Sequence, residues 1–363
     1  GLQLPPCASG GLSTFRGRAA NFFNEDPLNP YMQRWSFSIQ RELPGRILLE
    51  TSYVGNRGTK LAASRNFNAT PAKYLSTLPS RDQPAIDFLS AQVANPFFGI
   101  AEFAGTALGN QKVSRANLLR PYPHFFDITA NLPGGYSYFH SLQTQVEKRM
   151  SAGLTFQASW NYSKFMDATS YLNPTDPRPE KVISPNDRTH RLVVSAMYEL
   201  PFGRGRSFLG NARGITSAAL GGWQVQGFFE GQTGAPLGFG NAIFNGNLHD
   251  IVLPLGERRV ERWFNTEAGF NRNPQQQLAS NVRALPSRFN GVRADGINNF
   301  QLSAFKYFDI TERFRLRFMV MAVNAFNHPQ FNAPNTTPTS TLFGTISNTA
   351  SEREVYWGLK LVF

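Results

Sequence analysis

Residues 354–363 alternate strictly. Val355, Trp357, Leu359, Leu361 and Phe363 fall on one face; Glu354, Tyr356, Gly358, Lys360 and Val362 fall on the other. A period of two marks a strand with one apolar side. That side carries a Trp near its start and a Phe at its end. A strand crossing a bilayer needs about 9–11 residues, with aromatic girdles at the two interfaces, and this stretch meets both requirements.

The same pattern recurs upstream. Trp35, Phe37 and Ile39 alternate with Ser36, Ser38 and Gln40, and Leu43-Pro44-Gly45-Arg46 predicts a tight turn, since Pro fixes one dihedral and Gly permits the next. Ile47, Leu49, Thr51 and Tyr53 follow on one face. A hairpin turning at Ser151-Ala152-Gly153 has the clearest pattern: Tyr138 to Val146 and Leu154 to Tyr162 each carry an apolar face that ends in aromatics. The opposite face is almost wholly uncharged and polar. Further strands are expected from His190 to Leu200, where Pro201 cannot continue the ladder, then over Trp223–Glu230, Phe300–Ala304 and Phe314–Ala322.

Between these strands the connections differ sharply in length. Those at 43–46, 150–153 and 309–312 are short, while about 55–136, 234–296 and 327–352 are long and rich in Pro, Asn and Gly; 201–221 is the one awkward fit. Long structureless loops count against a compact soluble domain, whereas outer-membrane barrels combine short periplasmic turns with long extracellular loops. The predicted fold is therefore all-β: an antiparallel transmembrane β-barrel with strand regions at 31–55, 137–164, 188–234, 298–326 and 353–363, and residues 1–30 as an extracellular loop. An odd count of about nine crossings does not match the even number of single-chain bacterial barrels. An open sheet in lipid would also leave two edges of unpaired backbone groups. Residues 1–363 are thus expected to be one domain, the C-terminal portion of a larger barrel.

Composition narrows the alternatives. The chain has 363 residues, 41% hydrophobic, with 32 Phe, 31 Gly and 24 Pro, favouring strands and turns over helices. No apolar run reaches the roughly 18 residues of a membrane helix, and Gly1-Leu2-Gln3-Leu4-Pro5-Pro6 lacks the basic and apolar regions of a signal peptide. Net charge is +12 and the pI about 10.0. The basic residues are scattered, many at strand ends (Arg46, Lys148, Arg149, Arg204, Arg206, Arg313, Arg315), with no block that reads as a nucleic-acid module. Cys7 stands alone, so no intrachain disulfide and no cysteine metal site is expected.

Several stretches resemble the C-terminal barrel half of Oar-like TonB-dependent outer-membrane receptors: Asn29-Pro30-Tyr31-Met32-Gln33-Arg34-Trp35-Ser36-Phe37-Ser38-Ile39-Gln40-Arg41, Ser52-Tyr53-Val54-Gly55-Asn56-Arg57-Gly58, Leu119-Arg120-Pro121-Tyr122-Pro123, Tyr198-Glu199-Leu200-Pro201-Phe202-Gly203 and Ala325-Phe326-Asn327-His328-Pro329. The resemblance implies a barrel of about 22 strands closed by an N-terminal plug, coupled through a TonB box to the inner-membrane proton-motive force. It also implies a carboxypeptidase-regulatory-like N-terminal domain, cargo ranging from siderophores, glycans and peptides to exported protein, and recognition of the C-terminal strand by the barrel assembly machinery. This sequence offers no candidate for plug or TonB box. Trp357, Leu359, Leu361 and Phe363 are the expected assembly signal.

Candidate chemistry is sparse. His124, His140, His190, His249 and His328 form no HExxH or paired-ligand spacing. Gly203-Arg204-Gly205-Arg206-Ser207-Phe208 lacks the third Gly of a dinucleotide loop and the Lys-Ser/Thr of a P-loop. Asp187-Arg188-Thr189-His190-Arg191 reads as a charged rim before a strand. No cofactor, metal or catalytic residue is expected, and the protein is not expected to be an enzyme. The expected lumen-lining residues are Gln143, Gln145, Glu147, Gln157, Ser159, Asn161, Gln224, Gln226 and Arg317; the expected aromatic girdle is Trp35, Trp160, Tyr162, Trp223 and Trp357. The leading expectation is the barrel part of a TonB-dependent transporter in a Gram-negative outer membrane, importing or exporting a large solute, with lipid and the TonB complex as partners. The alternatives are a non-conducting barrel that acts as an adhesin and a soluble basic β-protein that binds nucleic acid.

Overall fold

The computed structural model describes residues 14–363 except 23, 25, 26, 204, 212, 213 and 312. Gly1 to Pro6, Cys7, Arg204 and the turn residue Glu312 lie outside the described residues. Nine long strands form an up-and-down meander: β1 (Tyr31–Leu43), β2 (Ile47–Asn66), β3 (Ile128–Ser151), β4 (Leu154–Ala168), β5 (His190–Glu199), β6 (Trp223–Gln232), β7 (Ile297–Asp309), β8 (Arg315–Val323) and β9 (Glu354–Val362). Each pairs antiparallel with the next. Among the described residues β1 pairs only with β2, and β9 only with β8.

Register carries the alternation from strand to strand. Directly opposed residues share a face, so the apolar row Leu49, Val146, Ala158, Val194, Phe229 and Phe300 runs unbroken across six strands. Three residues along, the polar row Ser38, Ser52, Gln143, Asn161, Arg191 and Gln232 does the same on the other side. A slip of one residue at any pairing would turn a strand's apolar face inward. The apolar face is bare: Phe37 is 67% exposed and Trp357 75%. A continuous apolar surface of this kind fits lipid rather than water.

Three of the strands outrun their expected limits. β2 continues to Asn66 instead of ending near Gly55, β3 starts at Ile128 instead of about Tyr138, and β4 continues to Ala168. At about 3.3 Å per residue, a strand of 24 residues extends about 80 Å, far beyond the roughly 30 Å hydrocarbon layer. These strands therefore rise above the membrane as a ribbon, bulged between Thr59 and Ala63. The segment before β1 is tied down as well. Ala20–Asn21 pairs in parallel with the start of β3, so this part of the N-terminal loop is ordered against the ribbon.

The hydrophobic core lies in the loops. Phe239, Ile251, Trp263, Phe264, Phe270, Phe289 and Val292 from the 233–296 connection pack with Phe343 and Ile346 from the 324–353 connection. A smaller cluster of Phe103, Leu108 and Val113 holds the 67–127 connection together. The division follows from the solvent on each side. Strand side chains facing lipid need no protein cover, whereas loops in water must bury their apolar groups to stay ordered. The first loop also contains α1 (Gln83–Ser90), capped by Asp82, whose carboxylate accepts from the Ala85 N–H at 3.1 Å. The Ser76 hydroxyl and that N–H together hold the Asp82 carboxyl below its usual range.

Candidate functional site: the polar face and the loop assembly

On the polar face, six of the nine expected lumen residues fall into one ladder: Gln143 opposes Asn161, Gln145 opposes Ser159 and Glu147 opposes Gln157. β2 and β1 extend it through Ser52 and Glu50 to Ser38 and Gln40, with the Ser38 and Ser52 hydroxyls 2.8 Å apart. On the other flank Arg191 forms an ion pair with Glu230 at 3.0 Å. The remaining three stand apart. Gln224 donates to Glu199 at 3.3 Å, and Gln226 lies between Met197 and Ser303. Arg317 packs over the Phe305 ring at 4.5 Å and lies opposite Lys360. Over β6–β9 this face mixes Phe228, Phe305, Met319 and Met321 with the polar groups, so its uncharged polar character is concentrated in β1–β5.

The expected girdle residues all lie on the apolar face but in different places. Toward the loops, Trp160, Tyr162 and His190 form one ring stack. Trp35, Tyr53 and His140 form another, with the Tyr53 hydroxyl 2.7 Å from His140 Nδ1. Trp35 lies flat over Gly55, where a Cβ would sit 2.3 Å from the indole, so Gly55 is the residue that lets the ring dock. Trp223 stands at the turn end, edge-on to Phe318 at 6.1 Å. Trp357 lies opposite Val320, inside β9 rather than at its tip. His140 and His190, which show no metal-ligand spacing in the sequence, complete the two loop-side stacks.

Above the strands, the loops are joined by ion pairs that sequence reading missed. Asp187 is fully buried. Its carboxylate accepts from Arg293 Nη2 at 2.6 Å, from the Phe165 N–H at 2.6 Å and from the Thr189 hydroxyl at 3.2 Å. Arg293 also donates to the Gly234 carbonyl, and the Trp263 indole donates to the Arg293 carbonyl, so one guanidinium ties the rim of β4 and β5 to the aromatic core. Arg288 pairs with Asp167 at 3.1 Å in the same way. The charged rim is therefore a buried structural joint. The signal was not local: Asp187 and Arg293 are 106 residues apart.

Two recesses open among the loops. One of about 340 Å³ lies between the first and second loops, lined by Leu78, Pro79, Phe244, Leu248 and Leu285 among others. The other, about 400 Å³, is bordered by Phe239, Asn241, Gln277 and the 336–339 stretch. Asn241 and Asn281 exchange hydrogen bonds at 2.8 and 3.2 Å where the two recesses meet.

A family model described as an outer membrane beta barrel domain matches residues 2–355. The chain belongs to that family. The barrel is thus an outer-membrane protein of Gram-negative type, with short periplasmic turns and long extracellular loops, and it is not an enzyme. The soluble nucleic-acid-binding alternative is set aside with it, and the net charge of +12 is carried by a membrane protein. No helix among the described residues is long and apolar enough to cross a membrane; the crossing elements are strands.

Among solved structures, the barrel is similar to the ferripyoverdine receptor of the outer membrane of Pseudomonas aeruginosa, at 12% identity and a TM-score of 0.40, over 90% of this chain and 26% of that one. It is similar to the FrpB iron transporter from Neisseria meningitidis, at 11% identity and 0.41, over 93% and 32%. It is also similar to the outer membrane transporter YddB from Escherichia coli, at 8% identity and 0.41, over 94% and 34%. The barrel spans about a quarter to a third of the length of these proteins. No curated protein matches it by sequence.

Proposed function

We propose that the barrel is the C-terminal part of an outer-membrane receptor-transporter that moves a large solute, importing it or, as the Oar resemblance suggests, exporting it. The observation that carries this reading is the polar ladder on one face of β1–β5, mostly uncharged with Glu50, Glu147 and Arg191 among it, beneath an ordered loop assembly. A face made mainly of Gln, Ser, Asn and Thr, with few fixed charges, offers hydrogen bonds that suit a wet lumen. The loops supply recesses in which cargo could first be held. Further strands closing the two sheet edges, a plug and a TonB box belong to this reading as parts outside the chain. With them, the full-length protein in outer-membrane vesicles is expected to bind the purified periplasmic domain of TonB. Deleting the lumen-closing domain should then let it pass K⁺ current in planar bilayers. No TonB binding and no current would leave the adhesin reading standing.

We further infer that Trp357, Leu359, Leu361 and Phe363 are read by the barrel assembly machinery. The exposure of this face supports it: Trp357 is 75% accessible in β9, and Phe363, just past the strand, 91%. Deleting Phe363 from the full-length protein is expected to lower its amount in the outer membrane several-fold; unchanged surface levels by cell-surface labelling would refute the role.

A further inference from the structure

The 201–222 connection is the longest of those on the turn side, and it folds. Phe202 and Phe208 meet in a short parallel bridge, with Phe208 N–H donating to Pro201 O and Gly203 N–H to Phe208 O, both at 2.9 Å. α2 (Gly214–Leu220) follows. Gly203, at φ +110°, brings the bridged turn and the end of the helix together: a Cβ there would lie 2.6 Å from the Gly221 Cα.

What holds this unit to the sheet is a lysine on the wrong face for a lysine. Lys306 lies in register with Trp223 on one side and Phe318 on the other, on the apolar face, yet it is only 2% exposed. Its Nζ donates to the Ala219 carbonyl at 2.9 Å and the Gly221 carbonyl at 2.6 Å, the carbonyls that the end of α2 leaves open. The ammonium also sits over the Trp223 ring at 5.3 Å and the Phe308 ring at 5.1 Å. The Trp223 indole donates to the same Ala219 carbonyl at 2.9 Å. The end of α2 is therefore fastened to the outer, lipid-facing side of the sheet at its turn end.

That placement leaves several apolar side chains largely exposed, although the Phe208 ring packs on Phe202 at 5.7 Å. Ile215 is 88% exposed, Phe208 58%, Leu220 49% and Leu209 46%. They continue the bare apolar face of β6–β9. The segment carries Arg204, Arg206 and Arg213 and no carboxylate; Arg206 reaches Glu199 on β5. Exposed apolar side chains in one segment with Arg206 and next to the Trp223 indole, at the end of a lipid-facing stripe, match an interfacial anchor.

We propose that the described residues of 201–222 form a foot that lies in the periplasmic leaflet of the outer membrane, with Ile215 and Leu220 in the acyl–headgroup boundary and Arg206 at the level of anionic phospholipid headgroups. Lys306 is the residue that positions it. The foot fixes the height of the barrel wall on that side.

The test uses the full-length protein with its native cysteines replaced by serine and one new cysteine, Ile215→Cys or, as the control in a short turn, Arg313→Cys. Each carries an environment-sensitive fluorophore, and the protein is reconstituted in phosphatidylethanolamine–phosphatidylglycerol vesicles. The label at 215 is expected to be quenched several-fold more than the control by a shallow lipid-borne nitroxide, and several-fold less by iodide. Equal quenching at the two sites, or protection at 215 from both quenchers, would overturn the proposal, the latter by pointing to a protein partner. Lys306→Met is expected to raise iodide quenching at 215 while the barrel keeps its folded mobility on semi-native gels; no change would remove Lys306 from its positioning role. Replacing phosphatidylglycerol with phosphatidylcholine should weaken lipid quenching at 215, and undiminished quenching would refute the preference for anionic headgroups.

Discussion

Leu359→Arg in the full-length barrel is expected to destabilise folding, by about 2–4 kcal/mol if the side chain sits at the bilayer midplane and by less toward an interface, the penalty of an arginine on the lipid face. Leu359 stands in the interior of β9, 59% exposed, opposite Phe318. Register places it on the same apolar row as Phe318 and Trp223. An arginine here would have to snorkel along the strand or draw water into lipid. The neighbouring Lys306 adds to the cost, because its ammonium shares the row and already uses the nearby carbonyls. The comparison is Lys360→Gln. Lys360 faces the other way, directly opposite Arg317, and like charges across a strand pair repel. Its removal should be neutral or slightly stabilising. Equilibrium denaturant titrations in lipid vesicles read both. If the two variants lost equal stability, the assignment of faces would be wrong.

That assignment was available from the sequence because alternation reports a contrast of solvents. Where one side meets lipid and the other water, as from Tyr138 to Val146 and from Leu154 to Tyr162, the pattern is sharp, and the faces picked strand by strand meet in register. Past Gly55 the contrast disappears. Asn56-Arg57-Gly58-Thr59-Lys60 remains in β2, but above the membrane both faces see water or loops, so the extended backbone has no apolar stripe to announce it. The loop assembly was illegible for a different reason. Its core joins Phe239, Phe264 and Phe270 to Phe343 from another connection, with no period to betray the pairing; only the density of Phe in segments rich in Gly and Asn hinted at buried structure. The foot shows a third case. The alternation of Phe300, Leu302 and Ala304 gives no reason for a lysine next on that face, because the carbonyls that hold Lys306 belong to another connection.

The Asp187–Arg293 joint makes the second large prediction. Removing one member of a buried ion pair strands the other charge, at a cost of about 3–5 kcal/mol, because the desolvation is no longer offset. In Arg293→Met the Asp187 carboxylate would keep only the Phe165 N–H and the Thr189 hydroxyl, and the links to Gly234 and Asn290 would go too. The loss should be local. The 233–296 loop is expected to exchange its amide hydrogens faster and become open to added protease on intact cells, while the strands stay protected by lipid and by their ladders. Arg191→Met is the matched control: its pair with Glu230 is partly exposed on both sides, and such pairs contribute about 0–1 kcal/mol, so the loop should remain resistant. Adding Asp187→Asn to Arg293→Met removes the stranded charge while the amide can still accept from Phe165, so the double variant should regain part of the protection. A single variant as resistant as the native barrel would mean that the aromatic core alone holds the loops, and the ion pair would lose its role as their joint.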